Sequence, residues 1–314
     1  MEPGNQTKVT VFVLGGLPNT TQSPLLFFLI FLTIYILTVM GNFLILFTIL
    51  SEPQLHGLPM YFFLCNLSVL DASLSSVTVP KILAGFMVSS YRAISFGGCI
   101  AQLYAFHFLA STECFLYTVM AYDRYLAICH PLNYATLMNR KVCFQLAVGT
   151  WLTGSFHAAI HASLTFRLPY CGPNQVDYFF CDIPPVLKLA CADTVVNQTV
   201  ILANIGVVAA GCLVLICVSY AYIASAILKI RTRQGRLCAF STCSAHLTVV
   251  LLYYGPPVFI YMRPSSSDSS YGPLAVFYTI ITPMLNPFIY TLRNKEVQRA
   301  LRKLFYRQVV SQGK

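Results

Sequence analysis

Four polar side chains interrupt long apolar runs of the sequence: Asn42, Asp71, Glu113 and Asn286. An ionisable side chain is costly to place in hydrocarbon, and by default it marks a functional site. Asp71 and Glu113 fall at comparable depth in neighbouring apolar runs, so two facing carboxyl groups would share a proton or bind a cation. A hydrogen-bond cluster that only sets helix packing is the alternative. A catalytic acid pair is disfavoured, because no glycine-bounded acid motif of the intramembrane protease kind is present.

Two further groups of residues have types and spacings that suggest chemistry. Asp123-Arg124-Tyr125 ends an apolar run, where an arginine is costly unless it pairs with Asp123 or reaches water. Release of such a pair would free Arg124 for a partner protein. His157 and His161 share one helix face, but no glutamate adjoins them as in zinc protease helices. Packing or a hydrogen bond to the outer loop is therefore favoured over metal binding.

The elements that position these residues must be membrane-spanning helices. Of the 314 residues, 57% are hydrophobic and 10% are charged, whereas about 25% are charged in soluble globular proteins. This composition excludes a cytosolic enzyme and a disordered chain. A spanning helix needs about 20 mostly apolar residues. Seven segments qualify, at residues 24–50, 59–80, 99–128, 142–164, 196–230, 237–262 and 271–292. We predict an all-α membrane protein, a seven-transmembrane helix bundle.

The distribution of basic residues predicts the orientation of this bundle. Lys and Arg concentrate in the loops on the Arg124 side and after the last span, so the N-terminus is expected outside and the C-terminus inside. We therefore expect an extracellular tail over residues 1–23, a receptor-like bundle over 24–292 and a cytoplasmic segment over 293–314.

The cytoplasmic segment has the pattern of an amphipathic helix. Val297, Leu301, Leu304 and Phe305 recur at helical spacing between basic residues, which favours a short helix on the inner membrane surface. The net charge of +10 is thereby assigned to orientation, lipid and a protein partner, and not to nucleic acid.

Residues on the predicted outer side indicate disulfides and glycans. Cys99, Cys171, Cys181 and Cys191 face the oxidising compartment, and the sequence alone leaves all pairings among them open. Asn5 and Asn19 lie in acceptor patterns for glycosylation, and a third pattern at 197–199 is weaker because it abuts the membrane surface. Within the spans, Pro256-Pro257 and Pro287 predict bends beside cavities.

The chain resembles a rhodopsin-like (class A) G protein-coupled receptor, and specifically a vertebrate olfactory receptor of the larger, tetrapod-type class. The resemblance rests on motifs that cover nearly every span in the family's order. These are Gly41-Asn42, LHGLPMYFFLCNLSVLD at 55–71, MAYDRYLAICHPLNY at 120–134, Ser219-Tyr220, AFSTCSAHL at 239–247 and PMLNPFIYTLRNKEV at 283–297.

This resemblance implies disulfides from Cys99 to Cys181 and from Cys171 to Cys191. It implies that Asp71 and Glu113 form an ion site for sodium, with no other cofactor. It also implies that Arg124 engages a G protein of the stimulatory olfactory type, which raises cyclic AMP. The other switch residues it nominates are Asp123, Tyr125, Tyr220, Asn286, Pro287 and Tyr290. One departure is Cys238, where the family usually has lysine, and we expect coupling to survive it.

A ligand site is expected on the third span, above this switch. Counting up the helix from Arg124 in steps of three and four places one set of residues on the same face: Phe106, His107, Ala110, Ser111 and Cys114. Receptors of the resembled class bind ligands there. No carboxylate stands near Phe106, so a cationic amine would lack its counter-charge, and a neutral, mainly apolar ligand is favoured. From other spans the resemblance nominates Asn204, Val208, Tyr254, Val258, Tyr261, Val276 and Thr279.

We therefore expect an odorant receptor of the plasma membrane that works with an odorant, a G protein and membrane lipids and has no enzymatic activity. The same fold acting as a metabolite sensor outside the nose is an alternative that the sequence does not separate. An ion-coupled transporter or channel is disfavoured, because transporters usually show inverted repeats and this chain shows no self-similarity.

Overall fold

The computed structural model describes residues 9–16, 23–261 and 276–312, with side chains described except at 238, 241–242, 256–261, 292–293 and 305–312. This part of the chain contains a bundle of seven helices and one helix that follows it. The helices are α1 (Pro24–Ser51), α2 (Pro59–Met87), α3 (Phe96–Cys129), α4 (Arg140–Phe166), α5 (Val195–Lys229), α6 (Arg233–Tyr261), α7 (Thr282–Arg293) and α8 (Lys295–Gln312). A π-helical turn, Phe277–Ile281, leads into α7.

The predicted seven-transmembrane bundle is confirmed, with some changes at the ends of its helices. Helix α2 continues to Met87, because Pro80 is accommodated inside the helix instead of ending it. The predicted start of the seventh span, Tyr271, lies outside the described residues. Within the described part, α1, α2, α3 and α5 are each long and apolar enough to cross a membrane, and α6 contains a shorter apolar stretch, Cys243–Gly255.

The outer surface of the bundle is suited to lipid. Large apolar side chains are exposed on several helices, among them Phe43, Phe47, Phe144, Phe156 and Leu251. In water such a surface would drive association, whereas in a bilayer these side chains meet lipid tails. A helix satisfies its backbone hydrogen bonds internally, which hydrocarbon requires of any lipid-exposed spanning segment of this kind.

Local sequence signals set where several helices begin. Pro24 and Pro59 occupy the first turns of α1 and α2, where proline loses no hydrogen bond. Ser95 caps α3 by accepting a hydrogen bond from the Gly98 amide at 3.1 Å, and Asn139 caps α4 by accepting one from the Val142 amide at 3.1 Å.

Helix α3 lies at the centre of the packing. It contacts α4 most extensively, then α5 and α2, while α1 packs along α2. Gly154 of α4 sits directly against Thr112 and the backbone of α3. The absence of a side chain at Gly154 therefore sets the close approach of the two helices.

A small sheet covers the end of the bundle that carries the Cys99–Cys181 disulfide, which we call the disulfide end. The opposite end is the Arg124 end. Strand β1 (Val11–Leu14) pairs antiparallel with β2 (Ala93–Ser95) and parallel with β3 (Gln175–Val176). Phe12 of β1 is fully buried. A strand inside the predicted extracellular tail was not anticipated by the sequence.

Replacement of Gly154 by alanine is expected to destabilise the receptor. The added Cβ would meet Thr112 Oγ1 and the Thr112 amide nitrogen, the latter at 2.9 Å, so α3 and α4 must separate. The expected cost is about 1–3 kcal/mol, visible as a lower melting temperature of the detergent-solubilised protein. Gly149→Ala on the same helix is the matched control, since its Cβ would meet nothing within 4 Å. Equal melting temperatures for both variants would contradict this packing.

Candidate functional site

A buried network of four polar side chains joins α2, α3 and α7. The Asn286 side-chain nitrogen donates to both carboxylate oxygens of Asp71, at 3.0 Å each, and lies 3.3 Å from the Tyr117 hydroxyl. Tyr117 in turn donates to Glu113 Oε1 at 2.6 Å. The two acids thus do not contact each other through hydrogen bonds but are linked through an amide and a phenol.

Two oxygen atoms of this network have no hydrogen-bond partner among the described residues. They are Glu113 Oε2 and Asn286 Oδ1, both buried. Unpaired acceptors in a nonpolar interior are costly. Carboxylate and carbonyl oxygens are also the ligands that hard cations prefer. The donor set therefore fits a small monovalent cation held between Asp71, Glu113 and Asn286.

Helix α1 is tied to the same region. The Asn42 side chain donates to the backbone oxygens of Thr38 at 2.9 Å and Pro283 at 3.2 Å. At the neighbouring Gly41, an added Cβ would come within 3.1 Å of the Pro287 ring. The Gly-Asn pair in α1 therefore allows close contact with the proline-containing turn of α7.

The disulfide end holds the loop between α4 and α5, residues 167–194, over the bundle. Cys99 is bonded to Cys181, and Cys171 to Cys191. Gln102 of α3 reinforces the first bridge: its side chain accepts from the Cys181 amide at 3.0 Å. The loop then places Phe180 against Phe106, with ring centroids 4.7 Å apart.

The predicted ligand face of α3 is largely engaged by neighbouring elements. His107 Nε2 lies 3.0 Å from Asp182 Oδ1 of the loop, and the Ser111 hydroxyl lies 2.8 Å from His157 Nδ1. Further down, the Tyr254 hydroxyl lies 2.8 Å from Cys114 Sγ. The main-chain oxygen of Ala110 accepts from Tyr253 at 2.7 Å.

The remaining predicted ligand residues are distributed unevenly. Asn204 and Val208 of α5 and Val276 before α7 are half-buried, and Thr279 is fully buried on the π-helical turn. The side chains of Val258 and Tyr261, and those of the predicted bend at Pro256-Pro257, lie outside the described residues. Asn5 and Asn19 lie outside them as well.

The histidines of α4 form part of this region. His157 and His161 pack with ring centroids 4.3 Å apart, and their Nε2 atoms are 3.1 Å from each other. His161 is completely buried. Among the described residues, no three His, Cys, Asp or Glu side chains are grouped so as to bind a metal ion. Hydrogen bonding to Ser111 and to each other, instead of to the outer loop, is the arrangement observed.

The Arg124 end corrects one prediction. Within the described residues no ion pair joins Arg124 to Asp123, because adjacent residues on a helix do not face each other. Asp123 Oδ1 instead accepts a hydrogen bond from the Tyr134 hydroxyl at 2.7 Å. Burial, and next the Asp123 charge, raise the pKa of Tyr134 well above its ordinary value, so this hydroxyl remains a donor at physiological pH.

Arg124 faces the interior of the bundle. It is buried, and the hydroxyl groups of Tyr220 and Tyr290 are near enough to interact with its charge. The Tyr220 hydroxyl also lies 2.8 Å from His246 Nδ1. The other ring nitrogen of His246, Nε2, is 3.1 Å from the backbone oxygen of Tyr117. The side chain of Tyr125 is half-buried, and its hydroxyl lies 3.0 Å from His130 Nε2.

Some residues of these networks were not singled out from the sequence. Tyr117 lies on the face of α3 that the helical count identified, so its position was available. Tyr134 and His246 lie in two of the motifs quoted above, but their contacts with Asp123 and with the Tyr117 backbone were not predicted. Asp182 gave no signal, because its partner His107 is distant in sequence and is brought near only by the fold.

Comparison with known proteins gives concordant matches along the chain. The sequence profile of the family described as "Olfactory receptor" matches residues 31–308. Olfactory receptor 10S1 of Homo sapiens is 64% identical over 303 residues, which cover 96% of this chain and 91% of that protein. Human olfactory receptor 10G7 is 57% identical over 309 residues, covering 98% and 99%. Human olfactory receptor 10G2 is 60% identical over 296 residues, covering 94% and 95%.

The hydrogen bonds among Asp71, Glu113, Tyr117 and Asn286 form what we call the central network. Tyr117→Phe is expected to weaken this network without changing its shape. The variant removes the donor to Glu113 Oε1 and leaves that buried oxygen unpaired, at a cost of about 1–3 kcal/mol. The melting temperature of the solubilised protein should fall. Tyr122→Phe, at an exposed tyrosine of the same helix, should leave it unchanged. An unchanged melting temperature in Tyr117→Phe would show that the hydroxyl does not link the two acids.

Proposed function

The chain belongs to the olfactory receptor family, and on this premise we propose that it binds a small, mainly apolar, neutral odorant between α3, α5, α6 and α7. Its family makes it a multi-pass plasma-membrane receptor and not an enzyme. In this proposal the disulfide end and the N-terminus are extracellular. The signal passes at the cytoplasmic Arg124 end to a G protein of the stimulatory olfactory type, which raises cyclic AMP.

A neutral ligand is supported by the contacts of Asp182, the acid that lies over the predicted ligand face, with His107 and the Ile183 amide. Its Oδ1 atom is 3.0 Å from His107 Nε2 and accepts a hydrogen bond from the Ile183 amide at 2.8 Å. The Oδ1 atom of Asp182 therefore already has two protein partners, which makes this acid a weaker counter-ion for a cationic ligand. Phe106 on α3 contributes an apolar ring at the same level and packs against Phe180. These contacts favour an uncharged ligand with an apolar body.

Activation is proposed to act on the contacts between α3 and α6. Among the described side chains, three of α6 form hydrogen-bonded contacts with α3: Tyr253 with the Ala110 oxygen, Tyr254 with Cys114 and His246 with the Tyr117 oxygen. All three involve neutral groups, whose net contribution is about 1 kcal/mol each. We call these contacts the α3–α6 seam. A ligand that contacts Cys114 or Tyr254 can change the stability of these contacts, and α6 then pivots about Pro256-Pro257.

Outward movement of α6 at the cytoplasmic side would uncover Arg124 for the G protein. No ion pair joins Arg124 to Asp123 within the described residues, but the two charges interact, so the release of Arg124 depends on Asp123, on the surrounding tyrosines and on α6. The agonist acts by binding the active state more tightly than the inactive one, since equal affinity shifts no population.

A sodium ion fits the central network. Asp71 and Glu113 supply negative charge, and Glu113 Oε2 and Asn286 Oδ1 are the unpaired oxygens that would accept it. When bound, the ion would supply positive charge to two buried acids. The network itself fixes α2, α3 and α7 relative to one another, whereas the α3–α6 seam is left to move.

Helix α8 is proposed to lie on the cytoplasmic membrane surface. Lys303 Nζ donates to Glu52 Oε2 at 2.7 Å, and the Tyr61 hydroxyl donates to Asn294 Oδ1 at 3.3 Å. These contacts hold α8 against the ends of α1 and α2. The exposed Arg302 then remains available to anionic lipid headgroups, whereas the exposed Arg299 is paired with Glu296 at 2.7 Å.

The test of coupling is an odorant panel screened in cells that carry a cyclic AMP reporter. Wild type is expected to respond to at least one neutral odorant. Arg124→Ala should abolish that response at unchanged surface expression, because the buried guanidinium is the group presented to the G protein. The exposed Arg167→Ala serves as the control and should respond normally. A full response in Arg124→Ala would refute this role.

Sodium binding has a readout that does not depend on signalling. At equal ionic strength, the solubilised receptor should melt about 2–4 °C higher in sodium chloride than in choline chloride, because a bound ion stabilises the folded state. Asp71→Asn should remove the difference. A wild-type melting temperature that is the same in both salts would mean that the two acids serve only helix packing.

A further inference from the structure

A polar cluster between α3, α4 and α5 contains two side chains whose hydrogen-bonding capacity is not used. The Ser111 hydroxyl, His157 and His161 form a chain, with 2.8 Å from Ser111 Oγ to His157 Nδ1 and 3.1 Å between the two Nε2 atoms. Asn204 of α5 is the polar neighbour of both imidazoles. Yet His161 Nδ1 and Asn204 Oδ1 are buried without a partner among the described residues.

The number of protons in this hydrogen-bonded series of side chains determines whether His161 Nδ1 is a donor or an acceptor. A neutral imidazole carries one proton, so only one of the two facing Nε2 atoms can donate to the other. If Ser111 donates to His157 Nδ1, then His157 Nε2 donates to His161, and the His161 proton must sit on Nδ1. We assign this tautomer, in which His161 presents a buried N–H donor. The Asn204 side chain lies close enough to interact with the His161 ring, but its carbonyl oxygen does not form a hydrogen bond with it.

Leaving such a donor and acceptor unpaired in a nonpolar interior is unfavourable. A group that both accepts from Nδ1–H and donates to Oδ1 satisfies the two atoms at once. A hydroxyl group has this dual capacity. A ketone, ester or ether accepts only and leaves Asn204 Oδ1 unpaired, whereas a carboxylate sets a second negative oxygen against Oδ1.

The neighbouring surface suits the rest of such a molecule. Val208 lies one turn from Asn204 on the same face of α5 and is half-buried. The Oδ1 atom of Asp182, the acid of the covering loop, is engaged by His107 and by the Ile183 amide, which weakens its attraction for an ammonium group. The cluster therefore selects a neutral polar group at the end of an apolar body.

We propose that His161 of α4 and Asn204 of α5 form a hydroxyl-recognition subsite, which makes neutral alcohols and phenols the preferred ligand class. His161 is the specificity-determining residue, and His157 with Ser111 sets its tautomer. This proposal rests on the proposed function as an odorant receptor, which it narrows from neutral odorants to hydroxyl-bearing ones.

The first experiment compares matched ligands in cells that express the full chain with a cyclic AMP reporter. The probes are octanol, cyclohexanol and para-cresol, each beside its own methyl ether, within a broad odorant panel that also includes octanone and octanoic acid. At least one hydroxyl compound is expected to act at a concentration about tenfold or more below that of its ether, since the ether leaves a buried acceptor unpaired.

The second experiment uses two replacements of one residue that keep different atoms of its ring. His161→Asn keeps a polar group near the Nδ1 position, while His161→Gln keeps one near Nε2 and so preserves the contact with His157. Surface expression is measured for both. We expect His161→Asn to retain the preference for hydroxyl over ether and His161→Gln to lose it. Asn204→Leu should also lose it, through the other partner.

The outcomes separate this proposal from the one beneath it. If ethers match their alcohols, or if only other panel members act, the receptor function stands and the hydroxyl subsite is refuted. The same follows if His161→Gln retains the preference, because a purely structural histidine acts through Nε2. If no panel member activates a receptor that reaches the surface, while direct stimulation of adenylyl cyclase works, both proposals fail.

Discussion

The constraint on which this structure depends is that lipid offers no hydrogen bonds. Every polar group inside the bundle must find its partner within the protein. The constraint is strictest at Asp71, whose fully buried carboxylate is held by Asn286, which adjoins Tyr117. Because these residues come from α2, α7 and α3, none of the three helices can rotate or slide without leaving a charged group unpaired. The central network therefore fixes the positions of α2, α3 and α7 relative to one another.

Helix α3 forms hydrogen bonds with most of the elements that surround it. Along its length, successive turns contact a different neighbour each: the outer loop, α4, α6, α7 and the segment after α3, through His107, Ser111, Cys114, Tyr117 and Asp123. The contacts of α3 with α6 use neutral hydroxyl, thiol and imidazole groups, whereas the hydrogen bonds between α2 and α7 are made to the Asp71 carboxyl group. Charge-assisted hydrogen bonds are about twice as strong as neutral ones. In the proposed activation, this difference lets α6 move while α2, α3 and α7 keep their relative positions.

The extent of successful prediction differs between the elements. The apolar runs located the helices because hydropathy along the chain is enough to place a span. Strand β1 was not predicted, since its partners at residues 93–95 and 175–176 are remote in sequence and sheet pairing is not local. The expected pair between Asp123 and Arg124 failed for a geometrical reason, because consecutive side chains on a helix diverge.

The number of spans, the family and the scarcity of charge that favours a neutral ligand can all be predicted from the amino-acid sequence. These follow from composition and from motifs that can be identified without coordinates. Which polar side chains are satisfied and which are not depends on the fold. His107 is engaged by Asp182, while His161 Nδ1 is left without a partner. Hydrogen bonding depends on distances of a few tenths of an ångström between helices, and these are set by the rotation and depth of each helix, which hydropathy does not encode.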